Sequence, residues 1–181
     1  MPNTTRTSYE GVIDADGHIN EPHDLWERYL EPQYRDRAIR LGIDADGRER
    51  MQVGGKPSRY LNADLLARGR GMGFSFEDRD QLTRSPYKDS IPFGGNDPKE
   101  RLQLLDYEGL RKAFIYPTIA LEWESEVTDL ELATAYCRAY NRWATHHSPL
   151  TTHHSPLTHS HPSFLNQPIT LRTMGLDVAE A

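Results

Sequence analysis

Asp14, Asp16, His18 and Glu21 crowd into residues 12–22, VIDADGHINEP. Val12 and Ile13 favour extended chain. In a strand alternate side chains share a face, so Asp14, Asp16 and His18 are expected to point the same way. Gly17 permits a bend and keeps the space beside them open. Carboxylate oxygens and an imidazole nitrogen converging at a strand end are donors for a divalent metal: zinc first, with manganese or iron also served by aspartate. The competing reading is a solvated strand end closed by an Asx turn, since so short a motif is weak alone.

The elements that must position these residues follow from local pattern. A first strand is expected near 11–16. A short helix after Pro22 has an apolar side of Leu25, Trp26, Tyr29 and Leu30. Arg28, Arg35 and Arg37 lie among acids and read as a solvated face. Residues 40–53 suggest a hairpin turning at Asp44-Ala45-Asp46-Gly47, because Asp-Gly favours tight turns. That string lacks the spacing and terminal Glu of a calcium loop.

Residues 54–96 read as a long irregular insertion with glycine pairs at its turns. Within it GRGMGF (69–74) lacks a phosphate-binding pattern, which argues against a nucleotide site. Phe74, Phe76 and Tyr87 could wall a substrate or simply pack the loop on itself.

Asp97 caps the clearest helix, with Pro98 in its first turn and Gly109 at its end. Leu102 and Leu105 share a side, with Tyr107 and Leu110 near the end. A strand over 112–116 follows. Thr128 and Glu131 then form a capping-box pattern opening a helix with Leu130, Ala133, Cys137 and Tyr140 at core spacing. Strand, helix, strand, helix is the pattern of a parallel α/β unit.

Three segments carry a family resemblance: VIDADGHINEPHDLWERYLEPQYRDRA (12–38), DPKERLQLLDYEGLRKAFIYPT (97–118) and DLELATAYCRAYNRW (129–143). Together they resemble the amidohydrolase-related metal-dependent hydrolases, in the branch similar to aminocarboxymuconate-semialdehyde decarboxylase. The resemblance implies a (β/α)8 TIM barrel with one or two divalent metals at the C-terminal mouth. It also implies hydrolysis or nonoxidative decarboxylation of a small-molecule substrate. The family's first-strand H-x-H pair falls on Asp16 and His18, the metal donors expected here, with Asp in place of the first His. The family's later ligands have no matching segment, and the catalytic residues are not identified. His23, past Pro22, reads as a surface residue rather than a third ligand.

With 181 residues the chain is short for such a barrel, which takes about 250. The expectation is therefore a partial barrel: a loose N-terminus (1–10), two βα units with an insertion (11–144), and a disordered tail (145–181). The tail repeats THHSPLT at 145–151 and 152–158 and holds six of the eight histidines. Its prolines and lack of an apolar seam suit no packed structure. Weak metal scavenging by this tract is one reading; a truncated or frame-shifted relative is the one preferred. The isolated chain is expected to hold metal weakly and turn over little or nothing, because a catalytic zinc takes about three protein ligands.

A net charge of −6 argues against nucleic acid or an anionic membrane as partner. No run approaches the ~20 apolar residues of a membrane span, and no secretory signal is evident. The single cysteine, Cys137, excludes an internal disulfide and reads as a buried, inert thiol. A cytoplasmic setting follows. A second functional reading is a non-catalytic partial domain that forms a homo-oligomer, pairs with a full-length paralogue, or aggregates, through open sheet edges.

Overall fold

The computed structural model describes residues 12–71 and 75–147. Two parallel strands, β1 (Val12–His18) and β5 (Leu110–Tyr116), form the central sheet. The helix α4 (Pro98–Glu108) precedes β5, and α5 (Leu130–His147) follows it. The expected strand–helix–strand–helix order is therefore present. Among the described residues this sheet has two strands, so no barrel closes. No described helix is long and apolar enough to cross a membrane.

β1 runs two residues further than expected, to His18, and is bulged. Asp14 pairs with Ala113 and Gly17 with Ile115, so β1 spends one more residue than β5 over that step. The cause is local. The Asp16 backbone N–H donates to Asp14 Oδ1 at 3.0 Å, which takes it out of the ladder. The second D-A-D-G string makes the same contact, with Asp46 N–H donating to Asp44 Oδ1 at 3.0 Å. There Gly47 takes φ of 75° and the chain reverses as expected. That turn joins β2 (Arg40–Ile43) to β3 (Glu49–Val53), and β4 (Lys56–Pro57) adds a third antiparallel strand.

The stretch 54–96 is not irregular throughout, which corrects the expectation from its glycines. It contains α2 (Ala63–Arg70) and α3 (Phe76–Leu82). Asn62 accepts from the Leu65 N–H and Ser75 from the Asp78 N–H, so both helices carry ordinary side-chain caps. Tyr87 is buried, whereas Phe76 is exposed and walls nothing. Phe74 lies outside the described residues, as do residues 1–11 and 148–181, where the loose N-terminus and most of the disordered tail were expected.

α4 matches its expectation: Asp97 accepts from the Lys99 and Glu100 N–H groups, and Gly109 closes it at φ 73°. Leu105 is buried there, while Tyr107 is exposed. The cap of α5 is Asp129, not Thr128; its Oδ1 accepts from the Glu131 and Leu132 N–H groups. Ala133, Cys137 and Tyr140 pack partly buried against the core as expected, but the fully buried stripe lies beside them. Leu132, Ala135, Tyr136, Ala139 and Trp143 are buried, and Leu130 is exposed. Cys137 is only half-buried, and burial raises its thiol pKa.

α1 (Leu25–Tyr29) packs on α5 and buries Leu25 and Trp26, as its sequence suggested. Trp26 and Trp123 both meet the Tyr136 ring edge-on, at 6.4 and 5.1 Å between centroids. Arg37 is solvent-exposed, as expected, and pairs there with Asp129 at 2.8 Å. On the sheet, Ala113 and Ile115 are buried, while Ile13 and Phe114 are exposed.

Candidate functional site

The C-terminal ends of β1 and β5 lie side by side, with His18 paired to Tyr116. The chain leaving β1 is tied to the chain leaving β5: the Ile19 N–H donates to the Tyr116 carbonyl at 3.0 Å. Polar groups at this end of a parallel α/β unit are where its chemistry is normally found.

His18 is held chiefly through Nδ1, which lies 2.8 Å from the Pro117 carbonyl oxygen. A carbonyl only accepts, so Nδ1 carries the proton, and in the neutral ring Nε2 keeps its lone pair. Thr118 Oγ1 lies near the same nitrogen at 3.4 Å, and the Tyr116 ring packs beside the imidazole at 5.9 Å between centroids. The side chain is 28% exposed. This is the orientation metal-binding histidines adopt, one nitrogen anchored and the other free.

Asp16 sits next to it. Its Oδ1 is 3.9 Å from His18 Nε2, and its side chain is 90% exposed. Two donors sharing a cation at about 2.1 Å each stand roughly 3.4 Å apart in a tetrahedron, so a small side-chain rotation would bring both onto one ion. The donor types and spacing fit two ligands of a divalent metal. They do not complete a site. Among the described residues no group of three His, Cys, Asp or Glu side chains is arranged to hold a metal ion.

Asp14 does not join them, a correction to the even alternation expected of β1. The bulge breaks the alternation between Asp14 and Gly17, and Asp14 shares the register of Ala113, which is buried. Its Oδ2 lies where a Cβ on Gly17 would approach to 3.0 Å. Gly17 fits closely here: a Cβ would also come within 3.0 Å of the Phe114 carbonyl and the Ile115 side chain, so its neighbours would have to give. Arg101 from α4 reaches the same end of the strand and donates through Nη2 to the His18 carbonyl. Burial lowers its guanidinium pKa, and the Asp14 and Glu108 carboxylates draw it partly back. Asp14 thus belongs to the support under the strand end. His23 is half-buried and contributes no third donor.

Glu21, one of the crowded carboxylates, has a role the sequence did not signal. Its side chain is fully buried. Its two oxygens accept the backbone N–H groups of Thr118, Ile119 and Ala120 at 3.0, 2.9 and 3.3 Å. Burial raises its pKa to about 7, with those hydrogen bonds opposing. Tyr87, from the insertion, donates its hydroxyl to the Glu21 carbonyl at 2.9 Å. The insertion touches the same region a second time. Gly69 of α2 packs so closely on Thr118 that an added Cβ would stand 2.6 Å from Thr118 Cγ2. Asn20 ties down that approach by donating to the Gly69 carbonyl at 3.1 Å.

No protein-family model and no curated protein matches the chain. Among solved structures it is similar to an amidohydrolase from Mycobacterium avium subsp. paratuberculosis K-10, at 22% identity and a TM-score of 0.56. The match covers 78% of this chain and 39% of that one, so the chain spans well under half the length of the solved relative. The likeness is one of fold: the described residues adopt the arrangement of part of an amidohydrolase chain.

Proposed function

We propose that this chain carries the N-terminal part of an amidohydrolase-type, metal-dependent enzyme of the branch resembling aminocarboxymuconate-semialdehyde decarboxylase. Its contribution is the first-strand donor pair, Asp16 and His18. The reaction is hydrolysis or nonoxidative decarboxylation of a small organic substrate, in a cytoplasmic setting. The observation that carries the reading is His18: its Nδ1 is anchored on the Pro117 carbonyl, and its free Nε2 is 3.9 Å from Asp16 at the C-terminal end of a parallel strand. A metal bound there would polarise a substrate carbonyl or carboxylate and acidify a water. This chain's own residues aim and steady two donors. The described residues hold no third, so the reading includes weak metal binding and negligible turnover by this chain alone.

Calorimetry with zinc and with manganese tests it. The expected result is weak binding that falls at least tenfold in both Asp16→Asn and His18→Ala. Unchanged binding in either variant, or stoichiometric metal surviving dialysis together with hydrolase turnover, would overturn it.

A second reading, a non-catalytic domain that associates with itself or with a full-length paralogue, is favoured by a separate observation. Neither β1 nor β5 has a further strand beside it among the described residues, and Ile13 and Phe114 are exposed there.

A further inference from the structure

We infer that Glu21 is a positioning residue for His18, acting through one peptide plane. The inference rests on the reading of His18 as a metal donor for its functional meaning, but its physical content stands apart from metal.

The Pro117 carbonyl that accepts from His18 Nδ1 and the Thr118 N–H that donates to Glu21 Oε1 belong to the same peptide unit. That unit is planar and rigid, with its C=O and N–H pointing in opposite directions. Glu21 therefore holds the far end of the plane whose near end selects the histidine tautomer. The Ile119 and Ala120 N–H groups on the same carboxylate stop the loop from pivoting about that one bond. Gly69 presses on Thr118 from the insertion side, and Asn20, just past β1, holds the Gly69 carbonyl. Without the Glu21 anchor the plane can rotate, the carbonyl leaves the ring, and Nε2 is no longer reserved as the free nitrogen.

Replacements at Glu21 separate this role from simple core packing. Glutamine keeps one carbonyl oxygen able to accept from Thr118 and Ala120, but sets its NH2 against the Ile119 N–H. Alanine loses all three acceptors. Aspartate keeps a carboxylate that is one methylene too short to reach.

The test is long-range nitrogen–proton NMR correlation of the imidazole rings of the full chain, above the histidine titration range. The His18 signals are assigned by their loss in His18→Asn. Wild type is expected to show His18 wholly as the Nδ1–H tautomer, with a slowly exchanging Thr118 amide. Glu21→Ala is expected to convert His18 to a tautomer mixture and to lose most of the Thr118 protection; Glu21→Asp should do the same. Glu21→Gln should restore the Nδ1–H form while remaining less stable than wild type. Glu31→Gln, which weakens the pairs to Arg138 and Arg142 away from the site, should leave His18 unchanged. Finding His18 as Nε2–H in wild type, or a rapidly exchanging Thr118 amide there, overturns the inference without recourse to any variant. So does an unchanged His18 in whichever of Glu21→Ala and Glu21→Asp folds. Absence of metal binding with the tautomer pattern intact would remove the metal reading and leave the positioning role standing.

Discussion

Glu21 has two properties that pull in different directions. Its hydrogen bonds favour the anion, but full burial outweighs them and leaves its pKa near 7 against an ordinary 4.5. A folded-state pKa above the unfolded one means that the folded chain holds the proton longer. The stabilisation is complete below about pH 4.5 and disappears as pH rises through about 7. Over that window the loss is on the order of 3 kcal/mol. Three other carboxylates act oppositely, because their pKa values are lowered. For Glu31, burial opposes the shift but the Arg138 hydrogen bond and both arginine charges overcome it. The Arg48 N–H holds Asp44 down, and the Arg37 guanidinium does so for Asp129. What these three contribute is present above the ordinary carboxylate range and fades as pH falls through their folded values. Glutamine at position 21 cannot titrate, while every other group is common to both proteins. Urea unfolding of wild type and Glu21→Gln, repeated at steps of pH, therefore isolates the Glu21 contribution. Wild type should lose about 3 kcal/mol relative to the variant between the two pKa values. A difference that stays flat with pH would mean that Glu21 titrates like an ordinary carboxylate.

Elements were legible where their determinants are local. Asp97, Pro98 and Gly109 mark both ends of α4, and Asp46-Gly47 marks the turn between β2 and β3, because each acts on backbone groups within a few residues. The nearness of Asp16 to His18 was legible for the same reason, since both lie on one strand. Asp14 was misplaced because even alternation assumes an unbroken ladder, and a single contact between its own side chain and the Asp16 N–H breaks it. α2 and α3 were hidden by the weight given to Gly69 and its neighbours. Gly69 in fact sits inside α2, and the reason is distant: Thr118 occupies the place of its side chain. Glu21 was unreadable because its three N–H donors lie nearly a hundred residues away. Gly69→Ala tests the element-scale contact. Intrinsic helix propensity would reward alanine by about 1 kcal/mol. The 2.6 Å approach to Thr118 Cγ2 forces a shift instead, and overpacking of this kind costs about 1–3 kcal/mol. The net change should be destabilising, and Thr118→Ser, which removes that methyl, should recover most of it in the double variant. Thermal unfolding of the four proteins reads the cycle. Stabilisation by Gly69→Ala in the wild-type background would show that α2 is free to move off the β5 loop.

At the scale of the molecule, the described residues cover one side of the sheet. In a parallel pair, residues opposite each other in register share a face, so Ala113 and Ile115 present one face of β5 and Phe114 the other. Ala113 and Ile115 are buried in the core that α4 and α5 help to build. Phe114 and, on β1, Ile13 remain exposed. Parallel strands ordinarily have both faces covered and their outer edges paired, and two strands alone achieve neither. The solved amidohydrolase that shares this arrangement is more than twice as long as the matched segment. The proposed association would use this face: a second copy, or a full-length paralogue, would cover Ile13 and Phe114 and pair the edges left open among the described residues. Ile13 and Phe114 are 49% and 38% exposed, so covering what remains contributes roughly 1–3 kcal/mol per chain before the cost of association. Sedimentation velocity across a wide concentration range measures the outcome. Wild type should sediment above the monomer mass at high concentration and dissociate on dilution. Ile13→Lys with Phe114→Lys places two solvated charges on the uncovered face and should hold the chain monomeric, with its circular dichroism unchanged. A wild-type monomer at every concentration would sink the association reading.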